Sequence, residues 1–195
     1  MGRPPKFEER SEEIMRAFEQ CVARKGLAST TLADVAEEAG LPRSLVRYFM
    51  GNRDDMVDRL MERALSRTED SLARVRNEAG AIPLPALLDL FCGELFANEL
   101  SNKVVGELWH AAADDAHVRD RLRGAYDYAL DLLAHAMQRE GVGQSAAQRR
   151  SAAFAIVSML LGEATLRDFG IEAGSPVRAV AGRIVDALRE PETQP

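Results

Sequence analysis

Thr30–Arg53 reads TTLADVAEEAGLPRSLVRYFMGNR, and its spacing decides the fold. It predicts a short helix, a tight turn and a second short helix. Thr30 and Thr31 suit an N-cap, where a hydroxyl accepts from a free backbone N–H, and Asp34 in the first turn complements the helix dipole. Leu32, Val35, Ala36 and Ala39 recur at helical spacing and form one apolar face. Gly40 ends that helix, because glycine takes the left-handed cap without a Cβ clash. Leu41 is expected as a buried turn residue. Pro42 fits the first turn of the next helix, where its missing N–H is not needed. In that second helix Val46 and Met50 point inward, and Arg43, Ser44 and Arg47 project outward. A helix-turn-helix has this grammar, and its second helix enters the DNA major groove. An ordinary helical hairpin in an all-α protein has the same pattern, so both readings stand at this point.

The surrounding composition favours helices throughout. The 195 residues suit one domain or two small ones, and a hydrophobic fraction of 46% supports a real core. Aromatics are sparse, alanine is abundant and β-branched runs are rare. No apolar run approaches the roughly 18 residues of a membrane span. The opening MGRPPKFEER lacks the apolar stretch of a signal peptide, so the expected location is the cytoplasm. Cys21 and Cys92 are far apart, without a CxxC, and each lies on an apolar helical face. Buried free thiols are expected, with a redox switch as the alternative.

The net charge of −6 does not announce nucleic acid. The first 60 residues carry ten Lys/Arg and eleven Asp/Glu, so the remainder carries fifteen and twenty. The positive charges are placed unevenly, however. Arg3, Lys6 and Arg10 gather at the N-terminus, and Arg43, Arg47 and Arg53 at the second helix of the pair. Local placement matters more than the sum when a surface meets phosphates. Residues 1–7, MGRPPKF, are expected to form an arm, because Pro4 and Pro5 disfavour a helix. Arg3 and Lys6 on such an arm could lie in a DNA minor groove, or the arm could be a plain tail.

Beyond the arm, helices are predicted over 8–25, 54–79, 84–99, 102–113, 116–140, 145–169 and 176–189. Gly26, Gly80, Pro83, Pro85, Gly141, Gly143, Gly170, Gly174 and Pro176 punctuate them. With the helix pair this gives an all-α chain of about nine helices. Two domains are expected: residues 1–53 as arm and DNA-binding domain, and 54–195 as a ligand-binding and dimerisation domain entered through the connecting helix 54–79. The helices at 145–169 and 176–189 carry more apolar surface than one face needs. Phe154, Val157, Leu161, Val177, Val180, Ile184 and Leu188 are therefore candidates for a homodimer interface, the alternative being the chain's own core. The middle helices interleave apolar and polar groups as a small-molecule pocket does. Its candidate lining is Phe91, Leu95, Trp109, His110, Tyr126, Leu130, Met159 and Glu163. Acids beside Trp109 would admit a cationic or quaternary amine through cation–π contact, and a hydrophobic drug-like molecule fits equally well.

These residues resemble the TetR family of bacterial transcriptional regulators. The resemblance rests on the opening helix ending in Gly26, the run Thr30–Gly40, and Tyr48–Asp54 (YFMGNRD), and covers about residues 8–60. A weaker likeness to the BetI-like subgroup rests on Glu107–Arg123 and Leu160–Gly170. The resemblance implies an all-helical homodimer whose first three helices bind a palindromic operator and whose C-terminal domain binds an inducer. It implies that Thr31 contacts phosphate, and Thr30 beside it is a further candidate for DNA binding. Arg43, Ser44 and Leu45 would face bases, Arg47 bases or phosphate, and Tyr48 the DNA backbone. Arg53 would hold phosphate near the start of the fourth helix. Arg47, Phe49, Met50 and Gly51 depart from the residues that the family commonly has.

The expected function is thus a ligand-responsive regulator, a repressor that leaves its operator when an effector binds. An all-helical enzyme or a protein-interaction module without DNA binding is the alternative. No nucleophile elbow, Walker loop, HExxH or GxGxxG occurs, so no catalytic residue and no cofactor is expected. Glu107, His110, Asp114 and His117 have spacings that would share one helical face, but a bend in AAADDAH would separate them, so no metal is expected.

Overall fold

The apolar positions of the first 60 residues close into a single cluster around the helix pair. The computed structural model describes residues 5–78, 80–95 and 99–189, with backbone alone at 5, 6, 64, 94, 95, 99–101 and 168. Among these residues the order is α1 (Pro5–Lys25), α2 (Leu32–Glu38), α3 (Arg43–Met50), α4 (Arg53–Val75) and α5 (Leu84–Leu90). A π-type turn, Phe91–Leu95, follows α5. Then come α6 (Glu99–Asp114), α7 (Ala116–Arg139), α8 (Ala146–Asp168) and α9 (Val177–Ala187). The all-α architecture is as the sequence predicts. An isolated antiparallel bridge joins Val142 to Arg189, at the far end of α9.

Several boundaries differ from expectation, each for a local reason. α1 begins at Pro5, so Pro5 and Phe7 belong to a helix and not to an arm. Proline is tolerated there because its N–H would have no intrahelical partner. α4 stops four residues early, where Asn77 Oδ1 accepts from Ala81 N at 2.9 Å and turns the chain. The single helix expected over 84–99 is interrupted by the π-type turn. The bend expected in AAADDAH is present: α6 ends at Asp114, and Asp115 Oδ1 caps α7 by accepting from His117 N and Val118 N at 2.9 and 3.2 Å. Ser145 caps α8 by accepting from Gln148 N at 3.1 Å.

The chain packs as two compact units, Met1–Arg67 with Glu99–Leu122, and Thr68–Asn98 with Arg123–Pro195. In the first, Phe18, Val22, Leu27, Val35, Val46, Met50, Leu60, Val104 and Leu108 form the core. In the second, the core comprises Leu72, Leu87, Phe91, Leu133, Met137, Ile156, Leu160 and Val185. This partition differs from the division expected at 53/54. Met56, Val57, Leu60 and Met61 of α4, with Val104 and Leu108 of α6, bury their apolar surface in the same cluster as α1–α3. A packing unit gathers whatever covers its core, wherever that lies in the chain.

α1 and α4 of the first unit also share a charge cluster. Glu19 is buried and accepts from Arg63 Nε and Arg67 at 3.0 Å. Arg63 also reaches Glu12, and that hydrogen bond holds the Glu12 carboxyl below its ordinary pKa. A carboxylate as buried as Glu19 is tolerated only because it is paired and hydrogen-bonded.

Candidate nucleic-acid interface

α2 is fixed at both ends by its own sequence. Thr31 is the N-cap: its hydroxyl accepts from Asp34 N at 3.3 Å, and Asp34 Oδ2 accepts from Thr31 N at 2.7 Å. This reciprocal capping box satisfies two otherwise orphaned donors. Lys25 Nζ lies 2.5 Å from Asp34 Oδ2. That contact, with the Thr31 bonds, holds the Asp34 carboxyl well below the usual carboxylate range. At the other end Leu41 N donates to Ala36 O at 2.9 Å, and the chain turns.

α3 then starts at Arg43, with Pro42 as its N-cap and not in its first turn as expected. Leu45 N and Val46 N donate to Pro42 O at 2.9 and 3.2 Å. Val46 and Met50 are buried. Arg43, Ser44, Arg47 and Tyr48 are exposed, Tyr48 by 73%, and Leu45 is half-buried. Four side chains of an eight-residue helix therefore face outward.

Tyr48 does not stand alone. Phe7 lies edge-on to it with ring centroids 6.5 Å apart, and tilts against Phe49 at 4.7 Å. The first turn of α1 thus braces the C-terminal half of α3. Spacing alone assigns Phe7 to the arm and gives no sign of this brace. Arg3 lies outside the described residues, as does the side chain of Lys6.

The α3–α4 junction is a second capping box. Asn52 N donates to Asp55 Oδ2 at 2.8 Å, and Asp55 N to Asn52 Oδ1 at 3.0 Å. The returning Asp55 carboxylate crowds Gly51, which has φ +80°; a Cβ there would lie 2.2 Å from Asp55 Oδ2. Arg53 follows, exposed, with its guanidinium donating to Leu27 O at 2.9 Å.

One candidate needs correction. Thr30 is only 2% exposed, and its hydroxyl donates to Gly26 O at 2.7 Å. It is held in the α1–α2 turn and does not present a group to DNA. Thr31, Arg43, Ser44, Leu45, Arg47, Tyr48 and Arg53 lie on or next to the outer side of α2, α3 and the start of α4.

The candidate ligand residues are divided between the two units. Trp109 and His110 belong to the first unit, while Phe91, Tyr126, Leu130, Met159 and Glu163 belong to the second. Phe91 and Leu130 are buried in the second core, and Tyr126 and Met159 pack half-buried against it. Glu163 pairs with Arg167 at 3.2 Å. The Leu95 side chain lies outside the described residues. Glu107 and His117 are engaged separately, Glu107 with Leu27 N at 2.8 Å and His117 with Asp58 at 2.5 Å. Among the described residues no group of three or more His, Cys, Asp or Glu is placed to hold a metal.

Of the candidate dimer residues, Val157 is a correction: it is buried in the chain's own core. Leu161, Val177, Ile184 and Leu188 pack half-buried against that core, and Val180 is half-buried. Phe154 is 62% exposed. Leu166, Phe169 and Ile171, which the apolar spacing does not single out for the interface, are exposed as well. Both thiols are free, Cys21 buried with its Sγ 3.7 Å from Asp34 O and from the Arg24 guanidinium, and Cys92 half-buried, where burial raises its pKa to about 11.

No family model matches the chain. Individual proteins do. It is 29% identical over 134 residues to the HTH-type transcriptional regulator BetI of Stenotrophomonas maltophilia, covering 67% of this chain and 68% of that protein. It is 37% identical over 67 residues to the HTH-type transcriptional regulator TtgR of Pseudomonas putida, a match spanning 34% of this chain and 31% of TtgR. Among solved structures, a TetR transcription regulator from Haloarcula marismortui superposes with a TM-score of 0.74 at 23% identity, over 93% of this chain and 98% of that one. Helix pair, outward α3 face and these relatives, which are named as transcriptional regulators, together support a DNA-binding transcriptional regulator. Within that class, the chain is similar to helix-turn-helix regulators named BetI and TtgR, and its fold is that of TetR-type regulators. No helix among the described residues is long and apolar enough to cross a membrane.

Proposed function

We propose that the chain binds a palindromic operator as a homodimer, represses transcription there, and is released when a small-molecule effector binds. The observation that carries the DNA-binding part is the α3 surface. Val46 and Met50 hold the helix to the core, while Arg43, Ser44, Arg47 and Tyr48 are left exposed. On this reading Arg43, Ser44 and Leu45 meet base edges and Arg47 a base or a phosphate. Tyr48 meets the DNA backbone, and Thr31 and Arg53 hold phosphates. Arg3 and Lys6 extend the contact into the minor groove. An α3 helix in the major groove places side chains of this kind at base edges and phosphates.

The homodimer uses α8 and α9, with Phe154 as the exposed anchor beside Leu161, Val177, Val180, Ile184 and Leu188. The effector is a cationic amine or a hydrophobic drug-like molecule held by residues of the Phe91, Leu95, Tyr126, Leu130, Met159 and Glu163 group, or near Trp109 and His110. Release requires that the effector bind two conformations with different affinity. α4, which is continuous through residues of both packing units, is the lever.

A gel shift with the DNA upstream of the chain's own gene tests the reading. A shifted band at the stoichiometry of one dimer per palindrome is the expected result. Absence of any salt-sensitive shift would leave the protein-interaction alternative standing. Replacing Arg43 by Ala is expected to relax base preference, costing about 1–3 kcal/mol for each bidentate pairing with a base that it removes. Equal weakening on every operator variant would remove Arg43 from the base-reading set.

A further inference from the structure

The turn between α1 and α2 is held by polar bonds from three elements. Thr30 Oγ1 donates to Gly26 O at 2.7 Å from the start of α2. Glu107 Oε2, from α6, accepts from Leu27 N at 2.8 Å. Arg53, from the first residue of α4, donates to Leu27 O at 2.9 Å. Both polar groups of one residue, Leu27, thus meet charged side chains, its carbonyl also accepting from Thr30 N at 3.3 Å, and its own side chain is buried. The approach of Glu107 is close: Gly26 has φ +85°, and a Cβ there would lie 2.9 Å from Glu107 Oε2.

We infer that Glu107 is a positioning residue for DNA binding, holding the Gly26–Leu27 peptide at its N–H and so fixing Leu27, whose carbonyl on the next peptide orients the Arg53 guanidinium toward phosphate. The inference rests on the DNA-binding reading above and adds to it a residue of α6. A guanidinium carries five N–H donors in a rigid fork. One donor on Leu27 O fixes the plane of the fork and leaves the others for a phosphate. The rotamer freedom that a phosphate contact would otherwise have to remove is thereby removed in the folded protein. Within the turn, Thr30 Oγ1 and Thr30 N tie Gly26 O and Leu27 O. Leu27 N, on the same peptide as Gly26 O, takes its partner from outside the turn. Glu107 supplies that partner across 80 positions of sequence. A shift of α6 against α1 of about 1 Å would stretch the bond past hydrogen-bonding distance. Such a shift would loosen Arg53 without moving α3.

The test uses the full chain and a mixed-sequence duplex of about 30 base pairs, since a phosphate contact is independent of sequence. Affinity is measured by fluorescence anisotropy from about 50 to 200 mM salt for wild type, E107A, E107Q, R53A and the R53A/E107A double variant. R53A is expected to reduce the slope of log K against log salt by about one unit per Arg53 contact. E107A should lose most of that same increment, and the double variant should bind no more weakly than R53A. E107Q should stay within about twofold of wild type, because its amide oxygen still accepts from Leu27 N. An unchanged slope in E107A, or penalties that add in the double variant, overturns the role of Glu107 while wild-type binding stands. A wild type that binds no duplex overturns the DNA-binding reading itself. If E107A does not fold, hydrogen exchange at the Leu27 amide of the wild type decides. Protection equal to that of an exposed turn would mean that the Glu107 bond is absent in solution.

Discussion

Gly51 is held by two independent constraints. Its φ of +80° strains any side chain, and the Asp55 carboxylate occupies the space that a Cβ would need. Gly51→Ala is expected to cost about 1–3 kcal/mol in thermal or denaturant unfolding. A variant as stable as wild type would mean that the α3–α4 junction relaxes freely. A residue of the same packing unit gives a pH signature. Asp58 raises the His117 pKa by hydrogen bond and by charge. The folded state therefore favours the imidazolium, and the stabilisation is fully present below the unfolded value of about 6.5. It is lost as the pH rises through the higher folded value. The melting-temperature deficit of His117→Ala should be larger near pH 5.5 than near pH 9, and an equal deficit at both would show that the pair does not titrate with folding. At this scale the sequence was legible where a residue acts within its own turn. Thr31 reads as a cap and is one. Thr30 reads the same way, yet its hydroxyl bonds back to Gly26 O, a choice that only the closed turn decides.

Individual elements were legible in proportion to the phase in their apolar pattern. α3 has two buried positions four apart, with Arg47 and Tyr48 exposed between them, so its outward face follows from spacing. The stretch 84–99 is apolar on nearly every side, so its periodicity carries no phase. The π-type turn at Phe91–Leu95 therefore left no trace in the pattern. The cap of α4 is hard to see in the sequence because Asn52 and Asp55 read as part of a familiar run and not as a reciprocal pair. Asn52→Ala removes one half of that box and is expected to cost about 1 kcal/mol of stability. That variant keeps the Asn52 backbone N–H that holds the Asp55 carboxylate against Gly51, so the penalty of Gly51→Ala should be undiminished in the double variant. A clearly smaller penalty there would show that the Asn52 side chain also holds the carboxylate in place.

For the whole molecule, helix count and class follow from composition and punctuation, but the packing partition does not. Nothing in the α6 sequence says that Val104 and Leu108 join the core of α1–α3, or that Glu107 meets Leu27. Contacts of that separation depend on which faces meet after folding. The same holds for the surface of α8 and α9. Spacing marked Val157 as available, whereas the chain's own core uses it and leaves Phe154 outside. If Phe154 anchors the proposed homodimer, Phe154→Asp should yield a monomer in sedimentation with little change in helical content. A dimer of wild-type affinity would place the contact elsewhere, for instance at Leu166, Phe169 and Ile171.

The division of labour within α3 has a further bearing on how such a protein changes over generations. Val46 and Met50 carry its attachment, and Arg43, Ser44, Arg47 and Tyr48 bury little of their surface. Exposed positions of this kind accept substitution at a few tenths of a kcal/mol. Preference for a new DNA sequence can then be acquired without first gaining stability elsewhere. A library randomised at Arg43, Ser44 and Arg47 should hold a narrow spread of melting temperatures and a wide spread of favoured DNA sequences. Tyr48 is the exception, because Phe7 and Phe49 pack against its ring, so its replacement should register in both properties.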